Sequence, residues 1–555
     1  MKHHLRAKWW GWGDEHKRFD IEHRPQLWPF LQRLFAMPDR PVLAVPAATD
    51  FAIPASRLLA ADISLLEQIA GDEHCSLLPE VRLSYALGKS YHDLIRLRYR
   101  QLTAVPDAIV FPQTETQIWQ ILQWAVAERI AIVPFGGGTS VVGGVEAVAG
   151  PLHRALVVVC LTQMDKIVSC WPDSLLVEAQ AGISGPVLEN YLAQQGFTLG
   201  HFPESFEYST LGGWVASRSA GQFSTRYGKI EDLVQSVRMV TPGGILETAG
   251  VPASACGPDL KQLVVGSEGS LGIISQARLK ICPAPRKKFY RAYLFRDFES
   301  GIQAVQRLLT QGTKPTLVRL LDGAETELAL ALAKWPTRPI PRVLANLFLR
   351  GIAMAGFSAG KRSLGFFGLE GNQFQVNSDK QALRQTLQSS HTFALGKTPV
   401  SMWYKHRYDN PYLRDELLDY GLLVDTLETA TTWRMLLPLY YGVREKIQAT
   451  LTQLQIPGLV MAHISHVYET GSSLYLIILA QPKLGTELAV WQQLKNTASE
   501  AILQQGGVIS HHHGIGLDHA VWLKRQLDPV SQATLVGLKN SLDPAGILNP
   551  GKMMG

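Results

Sequence analysis

The chain has 555 residues, 46% hydrophobic and 18% charged, with 13 Trp, 16 Tyr and 19 Phe; that is too long for one core and excludes a disordered, collagen-like or coiled-coil chain. Lys plus Arg number 53 against 47 Asp plus Glu, a net +6 without a basic run, so no nucleic-acid partner is expected. The 5 cysteines are scattered with no C-x-x-C pair, which fits a reducing compartment and neither a zinc knuckle nor a disulfide framework.

The first residues, 1–19, are charged and rich in Trp and His, with no apolar run, so no signal peptide is expected. Proline-rich residues 41–54 read as a loop, and residues 60–70 and 79–87 have helical apolar spacing. From residue 107 the texture becomes α/β. Residues 108–111 read as a strand, and 114–128 as an amphipathic helix with Thr114 and Gln117 in a capping box. Residues 130–134 read as a buried strand running into Phe135-Gly136-Gly137-Gly138-Thr139-Ser140. Strands are predicted at 155–161 and 175–179, a helix at 185–195, a Gly/Ser-rich stretch at 200–228, and strands at 234–240 and 273–281. Cys282-Pro283-Ala284-Pro285 reads as a boundary. Beyond it, a strand at 291–295, a helix at 301–311 and helices at 482–505 and 530–542 complete an α+β texture. The most apolar stretch, 345–359, is short and carries Arg350, so no membrane span is expected. A peripheral membrane contact through an apolar surface stays open.

The loop after the strand at 130–134 offers successive backbone N–H groups without side chains in the way, which is the form of an anion nest. It is not the Rossmann fingerprint, because Val141 stands where the third glycine belongs. Gly266-Ser-Glu-Gly-Ser-Leu-Gly272 is a second such loop. Either alone also suits a tight turn between strands. Together with Ser205, Ser209, Thr210, Gly212, Gly213, Ser217, Ser219 and Gly221 between them, they suit a chain laid along an extended dinucleotide.

Gly136 to Ser140, the segment 200–215, Tyr227-Gly-Lys-Ile-Glu-Asp-Leu233 and Gly266 to Gly272, in that order, resemble the FAD-binding domain of the vanillyl-alcohol-oxidase (PCMH-type) superfamily. Trp9-Trp10-Gly11-Trp12-Gly13, Pro411-Tyr-Leu-Arg-Asp415 and Ser510-His-His-His-Gly-Ile-Gly516 narrow the resemblance to the alkylglycerone-phosphate synthase family. The resemblance implies an α+β fold: a helical segment at 1–101, a two-subdomain PCMH-type FAD-binding domain at 102–284, an α+β cap (substrate) domain at 285–508 and a segment at 509–555 returning to the flavin site. It also implies FAD contacts from three places. These are Pro134, Phe135, Gly136, Gly137, Gly138, Thr139 and Ser140 on the pyrophosphate; Glu204, Ser205, Ser209, Thr210, Ser217, Arg218, Ser219 and Ala220 along the cofactor; and Glu268, Gly269, Ser270, Leu271, Gly272, Ile273 and Ile274. No His lies in the first glycine loop, where many covalent members carry one, so noncovalent FAD is implied.

His511-His512-His513 is not a core-packing pattern; it suits proton transfer and phosphate recognition at neutral pH, or a solvated, hydrogen-bonded cluster. On a strand consecutive residues alternate faces, so no metal is expected to use all three. By resemblance the histidines and Tyr475 are catalytic, Tyr475 as a phenolate, while Arg414 and Arg319 bind substrate or orient flavin. Without that resemblance Arg414 reads as an ion pair with Asp415 or Asp419. The activity implied is exchange of the acyl group of 1-acyl-dihydroxyacetone phosphate for a long-chain alcohol through an adduct at flavin N5, with no net redox change. The partners would be lipid-derived small molecules and, from the family, a second copy in a homodimer. The competing reading is an FAD-dependent 2-hydroxy-acid dehydrogenase. Its carboxyl end resembles 542–554 here, but its Glu-His-Gly-Ile-Gly is His512-His513-Gly514-Ile515-Gly516. Met553-Met554-Gly555 is not a peroxisomal signal, so a cytoplasmic location is expected.

Overall fold

In a computed structural model the described residues are 7–102, 104–333, 347 and 349–553. The apolar stretch 345–359 lies partly outside them.

Ala-Leu-Val-Val-Val-Cys at Ala155–Cys160 is buried at every position, as a strand covered on both faces must be. It pairs in parallel with Ala108–Val110 and with Ile130–Phe135, and Cys75–Ser76 adds an antiparallel edge. The helix Glu115–Glu128 makes the crossover between them, and the Thr114 hydroxyl accepts from the Gln117 amide. The expected reciprocal bond shifts by one residue: the Gln117 side chain accepts from the Gln113 amide. A second, antiparallel sheet runs in the order Ile167–Trp171, Leu176–Gln180, Ile273–Lys280, Val234–Thr241, Gly244–Glu247. Leu211, Trp214 and Val215 of the helix Leu211–Ser217 and Leu271 of the loop 266–272 pack into the core that the two sheets share, and Gly136 and Gly137 of the loop after Phe135 lie against Thr210 and Tyr208.

The third sheet has 7 strands, all antiparallel, in the order Phe393–Gly396, Lys287–Phe295, Ser363–Gly371, Leu317–Leu321, Gly458–Ile464, Gly471–Ala480, Leu423–Thr432. Period-two alternation divides its faces. Leu474, Leu476 and Ile478 join the core beneath the helices Phe298–Thr310, Trp433–Gln453 and Glu487–Gln504. Tyr475, Ile477 and Leu479 point the other way, toward a cavity. Arg319 and Leu321, Met461 and His463, and Val424 and Thr426 follow the same parity on neighbouring strands.

Both chain ends close this arrangement. Near the start, Ala7 bridges Asp14, and the Asp14 amide reaches the Tyr208 hydroxyl at 3.0 Å, itself 2.9 Å from the Tyr412 hydroxyl. The hairpin thus ties the loop at 204–210 to the helix Asn410–Asp419. Near the end, the Ile132 amide donates to Ile547 and the Asn549 amide to Ile132, adding an edge beside Ile130–Phe135. Shorter elements differ from expectation mainly at their ends: the helix expected at 79–87 is Pro79–Ser84, and the one at 482–505 is Glu487–Gln504.

Candidate active site

One cavity of about 680 Å³ runs between the two halves of the molecule. At one end it is walled by Pro134 to Ser140, by Glu204, Ser205, Ser209, Thr210, Ser217, Ser219 and Ala220, and by Glu268, Gly269, Gly272, Ile273 and Ile274. The cradle is tight: a Cβ at Gly137 would overlap the Tyr208 carbonyl, and one at Gly136 the Thr210 hydroxyl. Gly138 sits at φ 64°, a conformation that disfavours any side chain. The Thr210 hydroxyl is buried there without a partner. Bare backbone amides and an unsatisfied hydroxyl in one concave wall fit the diphosphate of FAD.

Four residues expected in this wall or beside it face elsewhere. Arg218 takes a left-handed backbone (φ 53°) and sends its guanidinium to the Val265 and Gln262 carbonyls. The Ser270 hydroxyl donates to the Ser267 carbonyl, and Leu271 packs into the core of the first two sheets. His511 stands behind His512 rather than in the cavity wall. Glu268 lines the cavity, but its carboxylate accepts the amides of Ile515 and Gly516 at 2.6 and 2.7 Å. Walled off from bulk solvent, it is pushed up to about 7 by burial, against the pull of those amides and Lys552.

The middle of the cavity carries Arg319, Arg414, His463, His466, Tyr475, His512 and His513. Arg414 donates to the Lys89 carbonyl at 2.7 Å and pairs with Asp415 at 3.3 Å, while its buried Nε has no partner. The expected ion pair therefore forms on one edge of the guanidinium and leaves another nitrogen for a ligand. Arg319 is held by Glu325 at 3.0 Å and lies 3.3 Å from His463 Nδ1. The Tyr475 ring stacks on His463 at 4.7 Å and meets His513 edge-on at 5.5 Å. Burial drives the Tyr475 phenol far above the usual tyrosine range. Burial therefore favours the neutral phenol, a donor, over the phenolate that the resemblance implies.

The sequence did not mark Glu428. Only 2% exposed, it is the cross-strand partner of Tyr475. Its Oε1 accepts from the Ser510 hydroxyl at 2.8 Å and from the amides of His511, His512 and His513 at 2.9, 2.9 and 2.8 Å. Burial alone would raise its carboxyl, but the facing histidines and this hydrogen bonding hold it well below the usual range. Wrapped on that anion, residues 511–513 form a bend, not a strand. The expectation that neighbouring histidines point apart fails for this reason: His511 Nδ1 and His512 Nδ1 are 3.0 Å apart. Glu428, His511 and His512 bring ligand atoms within 4.8 Å of one another. Burial lowers His466 and His511 well below the ordinary imidazole range and takes His513 down to about 3.

The far end of the cavity is apolar. Leu27 and Leu31 of the helix Leu27–Leu34 face Leu328, Leu332, Leu417, Met461, Ile477 and Leu479.

Residues 106–250 match the family of FAD binding domains, and residues 284–553 match the C-terminal domain of FAD linked oxidases. Alkyldihydroxyacetonephosphate synthase of Dictyostelium discoideum is 35% identical over 85% of this chain and 77% of its own. The synthase of Trypanosoma brucei brucei is 32% identical over 88% and 80%. A solved alkyldihydroxyacetonephosphate synthase covers 99% of both chains at a TM-score of 0.85 and 29% identity. With its FAD-binding and oxidase C-terminal domains, this chain belongs to the FAD-linked oxidase (PCMH/VAO) family, as a member similar to the alkyldihydroxyacetonephosphate synthases.

Proposed function

We propose that the protein is an FAD-dependent alkyl transferase, replacing the acyl group of 1-acyl-dihydroxyacetone phosphate by a long-chain alcohol. The observation that carries this reading is the joining, in one cavity, of a polar centre bearing Arg319, Arg414 and histidines to an apolar end built from both chain halves. A small 2-hydroxy acid would use the first and leave the second without a purpose. The relatives named above support the same choice.

FAD, held noncovalently by the backbone of 134–140, by Thr210 and by the wall at 268–274, supplies an electrophilic, electron-accepting ring system. The Arg414 guanidinium, with its Nε free, binds the phosphate or the departing carboxylate; Arg319 does the same across the cavity. Tyr475, kept neutral, donates a hydrogen bond to a substrate oxygen and acidifies the adjacent C1–H. The imidazoles of His512 and His513 are the bases in reach of that proton. The apolar end holds the acyl or alkyl chain and excludes water from the ketone carbon. We place the protein in the cytoplasm with a peripheral membrane contact, where such lipids reside, and as a homodimer. Among the described residues no helix is long and apolar enough to cross a membrane.

The test uses the FAD-loaded protein without oxygen. Palmitoyl-dihydroxyacetone phosphate plus hexadecanol should yield palmitate and an ether-linked ketone phosphate with no electron acceptor. Turnover of D-lactate or glycolate with an acceptor dye, and none of the acyl ketone phosphate, would replace this reading by the dehydrogenase. Denaturation should release the flavin into the supernatant.

A further inference from the structure

His512 lines the cavity, yet its Nδ1 is turned away from it, 3.0 Å from Nδ1 of His511. On the far side of His511, Nε2 lies 2.6 Å from the Tyr468 hydroxyl. His512 Nε2 makes no protein hydrogen bond among the described residues, so it is the nitrogen left for a ligand. Tyr468 is only half-buried and precedes exposed Glu469 and Thr470, and acidic Glu231 and Asp232 act on it electrostatically. We propose that His512, His511 and Tyr468 form a proton relay joining substrate C1 to bulk solvent, with Tyr468 as its outer gate. The proposal rests on the transferase reading and extends it.

The distances admit two proton arrangements. In one, Tyr468 donates to His511 Nε2, His511 Nδ1–H donates to His512 Nδ1, and His512 Nε2–H faces the cavity. In the other every bond is reversed, and His512 Nε2 presents a lone pair to the substrate. Starting from the second, His512 Nε2 takes the C1 proton and the C–H electron pair stays with the substrate. His512 Nδ1–H passes to His511 Nδ1, His511 Nε2–H passes to the Tyr468 oxygen, and the phenolic proton already there leaves to water. The chain ends in the first arrangement with no charge left on it. Because the product keeps two hydrogens on C1, the relay must run back once per turnover and deliver a solvent proton, which restores the second arrangement.

The surroundings fit this use. Glu428 fixes the backbone of all three histidines, and its Oε2 lies 3.3 Å from His512 Nδ1 and 3.6 Å from His511 Nδ1, where it steadies the positive charge during the hop. His466 stacks on His511 at 5.3 Å and is itself anchored by the Ser224 hydroxyl at 2.8 Å, holding the ring in line. His511 has no place in the cavity wall, so contact with substrate does not account for its two aligned bonds.

Tyr468→Phe removes only the outer hydroxyl. In the FAD-loaded protein in D2O, it should slow deuterium entry at C1 of palmitoyl-dihydroxyacetone phosphate by at least about tenfold. KM and flavin content should hold, and added imidazole should restore the rate. Exchange at the wild-type rate, or a loss accompanied by a raised KM and no rescue, overturns the relay. A second readout needs no substrate: long-range 15N correlation spectra of histidine-labelled holoprotein. The tautomers of His511 and His512 should change together on Tyr468→Phe; if neither moves, the relay is wrong. If the wild-type protein neither exchanges C1 hydrogen nor releases palmitate, the transferase reading falls, and the tautomer spectra still decide whether the chain is connected.

Discussion

At the scale of single residues, two buried glutamates shape the site, and their opposite surroundings give opposite pH behaviour. Glu428, faced by His512, His513 and His511 and met by three amides and a hydroxyl, has a folded pKa well below its unfolded value. Its contribution to stability is therefore present above the ordinary carboxylate range and is lost only as pH falls through the depressed value. Glu428→Gln should cost roughly 2–3 kcal/mol in urea unfolding, the scale of hydrogen bonds to a charged group. It should also lower kcat more than it raises KM, since the histidines lose their anchor. Glu268 is the reverse, pushed up to about 7 from 4.5. The folded state then binds the extra proton, so stability declines as pH rises between those values, by up to about 3 kcal/mol. Glu268→Gln should flatten that slope, and melting temperatures from pH 4.5 to 7.5 read it directly.

At the scale of elements, the cofactor cradle depends on a loop and a helix approaching closer than any side chain allows. Gly137→Ala would place a methyl against the backbone carbonyl of Tyr208, which cannot swing aside. The variant should fold, because the strand Ile130–Phe135 is independently paired, yet purify with little or no 450 nm flavin absorbance. The loop–strand–helix texture that holds the cradle was legible in the sequence, because glycine runs and buried β-branched strands are local patterns. The orientation of Arg218, Ser270 and Leu271 was not. Each lies in a stretch with the right composition, but a left-handed backbone at Arg218 and core packing at Leu271 turn them away, and no local pattern reports that.

For the whole molecule, chain ends far apart in sequence complete the site. The Asn549 side chain donates to the Gly144 and Glu268 carbonyls at 3.1 and 2.6 Å, pinning both glycine loops with one amide. Asn549→Ala should lower stability by about 2 kcal/mol and weaken FAD binding about tenfold, measured by flavin fluorescence on dilution. At the other end, Leu31 of the N-terminal helix closes the apolar pocket. Leu31→Trp should shift the preferred alcohol toward shorter chains, with hexadecanol losing kcat/KM relative to octanol; an unchanged chain-length profile would remove that helix from the substrate site.

The residue order alone determined the strands, the two glycine loops, the histidine run and the resemblance that gathers them, because these are properties of neighbours along the chain. It also marked Tyr475, Arg319 and Arg414 as positions of interest, and the fold brings all three to one cavity. Only the tertiary structure decided their state. Burial in the sheet favours the neutral phenol of Tyr475, and Arg414 keeps one free nitrogen because Lys89 and Asp415 take the others. The histidines form a bend because Glu428, 82 residues before Ser510, offers them an anion. In the sequence Glu428 is one acidic residue in a strand. Burial and hydrogen-bond partners depend on which strands become neighbours, and that is settled by the packing of the whole sheet.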